Sequence, residues 1–140
     1  MKELEKIAEW IFQNYPSAEK IVEVGVGGIT RVLEVLNGKM PETKLIATDV
    51  REVPVPQGVE FVQDDVKDPE IEIYKGADLI YSMRPPAEFY PFLSEIADKS
   101  GADLLVNPVS SEESPRWGNP VNHSGVFFYL KRPDEKKADC

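Results

Sequence analysis

The sequence predicts an α/β protein built on a doubly wound, mostly parallel sheet of about six strands with helices on its faces. Two observations carry this. Short runs rich in Val and Ile alternate with segments whose apolar residues recur at i, i+3 and i+4. The first such strand also runs directly into "GVGG", residues 25–28, and then into a helical pattern. A strand that turns on glycines into a helix is the opening of a unit with parallel strands.

Each element has its own signal. Leu4, Ile7, Ala8, Ile11 and Phe12 predict a helix with one buried face, stopped at Tyr15-Pro16. Residues 20–24 read as a buried strand. Ile29, Val32, Leu33 and Leu36 predict a second helix, with Asn37-Gly38 as its stop. Residues 44–48, 59–62, 78–82, 103–107 and 126–130 supply five further strands. Phe89, Phe92, Leu93, Ile96 and Ala97 predict a helix closed at Gly101.

Two passages fit less easily. Only residues 50–58 separate the second and third strands, and Pro54 and Pro56 stand among them. A parallel crossover ordinarily needs about a dozen residues, and proline breaks a helix. An irregular extended loop is expected here. Residues 66–76 are also poor helix material, since Pro69 interrupts them. Residues 107–125 are polar and rich in Pro, Gly and Ser, and read as one long loop, either a lid or binding loop or a disordered one.

Composition narrows the function. The length of 140 residues suits one domain, read as 1–132 with a polar tail over 133–140. No apolar run approaches the roughly 18 residues of a membrane helix. The single cysteine, Cys140, excludes an intrachain disulfide and fits a cytoplasmic protein. The net charge of −9 repels polyanions, so nucleic acid is a poor partner and a neutral or cationic small ligand a better one. The basic cluster Lys131, Arg132, Lys136 and Lys137 reads as a solubilising end. With one histidine, His123, no zinc site of the usual kind is expected.

The residues that could carry chemistry fall at strand ends. Glu23, Gly25, Gly27 and Gly28 surround the first turn, where missing Cβ atoms let a ligand approach the backbone. The same glycines could serve the turn alone. Asp49 ends the second strand, where an acid typically accepts hydrogen bonds from ribose hydroxyls. Asp64 and Asp65 follow the third. Ser82 and Arg84 follow the fourth, in "YSMRPPAE", where Pro85-Pro86 could simply start a helix. Arg84 could hold a carboxylate or phosphate of a ligand, or Glu88. Trp117 could cover a ligand from the long loop. A nicotinamide-binding reading predicts that Asp49 selects NAD, but Thr30 stands where the fingerprint Gly-x-Gly-x-x-Gly needs its last glycine.

The strand ending in acid-x-Gly-x-Gly, the acid closing the next strand and the further acid after the third resemble the class I S-adenosylmethionine-dependent methyltransferases over about residues 20–107. The stretches "VEVGVGG", "ATDVRE" and "YSMRPPAE" are more closely similar to the small archaeal uncharacterised protein family 0146. The resemblance implies a Rossmann-like, reduced three-layer α/β/α sandwich that binds S-adenosylmethionine. It implies Glu23, Gly25 and Gly27 at the methionine part, Asp49 at the ribose, Asp65 or Asp64 at the adenine, and Ser82, ahead of Pro85-Pro86, with Arg84 as the candidates for a catalytic role. The helix after the second strand is missing from this pattern, and the C-terminal hairpin is expected to be short. The resulting expectation is a methyltransferase-like nucleoside-binding protein, as a minimal enzyme or as a non-catalytic sensor of S-adenosylmethionine or NAD. Its small size and thin helical layer predict a homodimer or a protein partner.

Overall fold

A computed structural model describes residues 2–110 and 114–133. Helix α1 (Lys2–Asn14) precedes strand β1 (Lys20–Val24), helix α2 (Arg31–Lys39), β2 (Lys44–Asp49) and β3 (Glu60–Gln63). Then come β4 (Leu79–Met83), helix α3 (Tyr90–Ser100), β5 (Asp103–Asn107), β6 (Asn119–His123) and β7 (Val126–Lys131). One seven-stranded sheet runs β3-β2-β1-β4-β5-β7-β6. The first five strands in this order pair in parallel, and β7 and β6 pair antiparallel.

The two sheet faces are covered separately. Ile7, Ile11, Leu33 and Leu36 of α1 and α2 pack on Ile21, Tyr81, Leu105 and Phe128. Leu93 and Ile96 of α3, with Tyr74, pack on Val22, Ile80, Leu104 and Val106. β1, β4 and β5 are buried almost throughout, as strands covered on both faces are. Arg31 donates to Glu5 at 2.8 Å, which ties α2 to α1 and lowers the Glu5 pKa.

The extended crossover is present. Residues 50–59 carry no helix, yet β3 pairs in parallel with β2. Its two ends are pinned: Asn37 Nδ2 donates to Gln57 O at 2.7 Å, and Gln63 Nε2 to Val50 O at 2.7 Å. Val53 and Val55 pack from this loop on the core, and the two side-chain amides fix its ends. Between β3 and β4 the helical layer is one 3₁₀ turn, Ile71–Ile73.

Four expectations need correction. The stretch read as one long loop contains strand β6, which adds a seventh strand to the sheet among the described residues. Its composition hid it: Pro120 and two asparagines disfavour a central strand, but β6 is the sheet edge, where proline is tolerated. The C-terminal hairpin is accordingly not short, since β6 and β7 pair over five residue pairs. Ile29 lies before α2 and is exposed. Gly38 lies inside α2, and the chain leaves the helix at Met40. The lid reading falls partly on residues 111–113, and the tail reading almost wholly on 134–140, outside the described residues. Among the described residues, no helix is long and apolar enough to cross a membrane.

Candidate functional site

The parallel strands bring their C-terminal ends to one edge, and two adjoining cavities open there. The first, about 340 Å³, is lined by residues that include Val24, Gly25, Asp49, Val50, Asp64, Ser82 and Phe89. The second, about 410 Å³, lies between the glycine turn, residues 25–29, and the start of α1 at Lys2, Glu3 and Leu4. Gly25, Met83 and Arg84 line both.

The glycine turn is built by positive backbone angles. Gly25 has φ +70 and Gly27 φ +55, and an added Cβ would meet nothing within 4 Å at either. Glycine is needed there for conformation, while the space beside it stays open to a ligand. The N–H groups of Gly25 and Val26 donate to Thr48 O at 2.8 and 3.1 Å. That of Gly27 donates to Asp49 Oδ2 at 2.8 Å. Gly28, exposed, also faces the second cavity.

Asp49 therefore has a structural task besides any ligand. Its other oxygen accepts from Arg51 N at 3.1 Å. Each carboxylate oxygen has two acceptor positions, so Asp49 keeps capacity for hydroxyl donors. Asp64 is held in the same way. It accepts from Glu70 N at 3.0 Å and from the Tyr74 hydroxyl at 2.6 Å. That contact and burial push the Tyr74 pKa up. Asp65 is exposed, accepts from Lys67 N at 2.9 Å within its own turn, and lines neither cavity.

Glu23 sits beneath the turn, 1% exposed, and lines neither cavity. Burial raises its pKa to about 8. The Tyr81 hydroxyl, opposite it in the β1–β4 register, moderates the rise without closing a hydrogen bond. Ser82 is 2% exposed and donates to Val24 O at 2.8 Å, clamping the end of β1 where the turn begins. Arg84 has φ +50, and its N–H donates to Asn107 O at 2.7 Å. Its side chain pairs with Glu3 rather than Glu88, whose partner is Lys67.

The structure thus gathers Gly25, Asp49, Asp64, Ser82 and Arg84 around the first cavity and leaves Glu23 and Asp65 outside it. His123 lies on β6, away from both cavities, 3.1 Å from Glu9. Trp117 donates to Tyr90 O at 3.3 Å and packs on the start of α3. Three contributors escaped the sequence reading. Thr48 stands within the strand run 44–48, Tyr74 within 66–76 and Glu3 beside Leu4 on the first helix, and none of them carries a motif. The polar atoms of Thr48 and Tyr74 in otherwise apolar settings were the available signal.

Comparison with known proteins agrees with this architecture. A crystal structure of an S-adenosyl-L-methionine methyl transferase from Silicibacter pomeroyi superposes with a TM-score of 0.67 at 12% identity, covering 93% of this chain and 92% of that one. The N-terminal domain of EvdMO1 with SAH bound superposes with a TM-score of 0.60 at 14% identity, covering 94% of this chain and 67% of that one. These likenesses show a Rossmann-like methyltransferase fold. In sequence, a UPF0146 protein of Archaeoglobus fulgidus is 42% identical over 127 residues, covering 91% of this chain and 93% of its own length. A UPF0146 protein of Methanothermobacter thermautotrophicus is 35% identical over 125 residues, covering 88% and 90%. Residues 4–133 match the family described as "Uncharacterised protein family (UPF0146)", and the chain belongs to that family.

Proposed function

We propose that this protein binds S-adenosylmethionine at the C-terminal edge of its sheet, as a minimal methyltransferase-like protein. The observation that carries the reading is the first cavity, in which Gly25, Asp49 and Asp64 meet. Asp49 would take the ribose hydroxyls and Asp64 the adenine amino group. Val50, Val66 and Phe89 supply apolar walls for the base. The solved N-terminal domain of EvdMO1 with SAH bound supports this by its fold.

The hydrogen bonding of the turn favours a nucleoside without a pyrophosphate over NAD. A dinucleotide turn offers free N–H groups to its phosphates. Here Thr48 and Asp49 already accept from Gly25, Val26 and Gly27. Three N–H groups of the turn are therefore already engaged, while the space beside Gly25 and Gly27 stays open. Among the described residues, the lining of the first cavity includes no histidine, cysteine or lysine. Transfer of a methyl group from the sulfonium that the cofactor supplies would rest on orientation, with an acceptor whose lone pair is already free.

Calorimetric titration with S-adenosylmethionine, S-adenosylhomocysteine and NAD tests the reading. The two methionine-derived ligands should bind and NAD should not. Asp49→Ala should weaken them by about 10- to 100-fold, as expected for loss of charge-assisted hydrogen bonds. Binding of NAD alone, or of nothing at millimolar concentration, would reject it.

A further inference from the structure

Arg84 Nη2 lies 3.5 Å from Glu3 Oε1, and both side chains are about half exposed. The pair joins the first turn of α1 to the turn after β4, 81 residues away. Both residues line the second cavity, together with residues 25–29. Arg84 also lines the first cavity, so it stands where the two meet. Its backbone is held at φ +50 by the bond to Asn107 O. That region is unfavourable for a residue with a Cβ, and backbone strain of this kind gathers at ligand sites.

We infer that Glu3 and Arg84 are a charge clamp for the amino-acid end of an adenosyl ligand, Arg84 taking its carboxylate and Glu3 its ammonium. The inference rests on the function proposed above. An adenosine held by Asp49 and Asp64 in the first cavity sends its 5′ substituent past Gly25, the shared wall, into the second. A methionine-type substituent ends in one positive and one negative charge. The second cavity presents both complementary charges already paired with each other. Glu23, to which the family resemblance gives the methionine part, is buried and lines neither cavity, so the ammonium needs another carboxylate. Among the described residues, Glu3 is the carboxylate that lines this one. The exchange costs little, because an exposed ion pair contributes little and the ligand replaces each partner with a like charge. The consequence is selectivity for adenosyl amino acids over nucleosides that lack the amino-acid end.

Titration of the wild-type chain, Glu3→Gln and Arg84→Gln with S-adenosylhomocysteine and 5′-methylthioadenosine tests this. The wild type should prefer S-adenosylhomocysteine by about tenfold or more, and each variant should lose about five- to tenfold of that affinity, the scale of one partly exposed charged contact. Affinity for 5′-methylthioadenosine should change by less than about twofold, since it has no group for either residue. Variants that weaken both ligands equally, or neither, overturn the clamp while leaving the cofactor reading intact. Failure of both ligands to bind the wild type overturns the two together.

Discussion

Glu23 is the residue whose protonation the fold alters most usefully for experiment. Its pKa rises from 4.5 to about 8 through burial. Between those values the folded chain keeps a proton that the unfolded chain has released. Stability should therefore fall as pH rises from about 4.5 to about 8, with a slope approaching about 1.4 kcal/mol per pH unit, and level off above. Glu23→Gln mimics the protonated form and should remove this slope. Urea unfolding at pH 5, 6.5 and 8 measures it, and parallel curves for both proteins would sink the assignment. Gly25 makes a second test. Alanine there has room for its Cβ but must adopt φ +70, which costs about 1–2 kcal/mol. The loss should appear in stability and in ligand affinity together, because the same conformation shapes both cavities.

Among the elements, the crossover over residues 50–59 and the 3₁₀ turn under Asp64 behave differently. The crossover is tied to α2 by the Asn37–Gln57 bond at an exposed position. Asn37→Ala should cost less than about 1 kcal/mol in global stability yet speed proteolysis within 50–58, read by mass spectrometry of early fragments. Unchanged cleavage would mean that Val53 and Val55, packed on the core, hold the crossover without it. Tyr74 is fully buried and fixes Asp64 through its hydroxyl. Tyr74→Phe should cost about 1–3 kcal/mol because Asp64 loses a donor in a part-buried site. It should also lower S-adenosylhomocysteine affinity without touching any atom of the ligand. The strand–helix alternation that positions these elements was legible from periodicity. β6 was not, because an edge strand exposed on most of its length carries no apolar run to mark it.

Taken whole, the described residues form a sheet covered on both faces, with the two adjoining cavities at one edge. The exposed large hydrophobics among the described residues, Ile29, Val50 and Val109, all lie in turns that leave the C-terminal ends of strands. Ile29 and Val50 line the two cavities. A ligand that bridges the cavities should stabilise the fold by mass action. At 100 times its Kd, S-adenosylhomocysteine should add about 2.7 kcal/mol and raise Tm by roughly 5–10 °C for a chain of this length. Thermal scans with 5′-methylthioadenosine at equal concentration should show a smaller shift.

The sequence by itself determined the fold class, the glycine turn and the succession of acids at strand ends, because each is written locally. Apolar periodicity marks helix and strand within a few residues, and Gly25 and Asp49 declare themselves by residue type. Only the tertiary structure decided how those residues are used. The Gly27–Asp49 bond joins residues 22 apart, Ser82–Val24 58 apart and Arg84–Glu3 81 apart. Such pairings depend on strand order and on where α1 begins against the glycine turn, and no local pattern encodes either. The same holds for Glu23, whose resemblance to a ligand residue is a matter of motif, while its burial away from both cavities is a matter of packing.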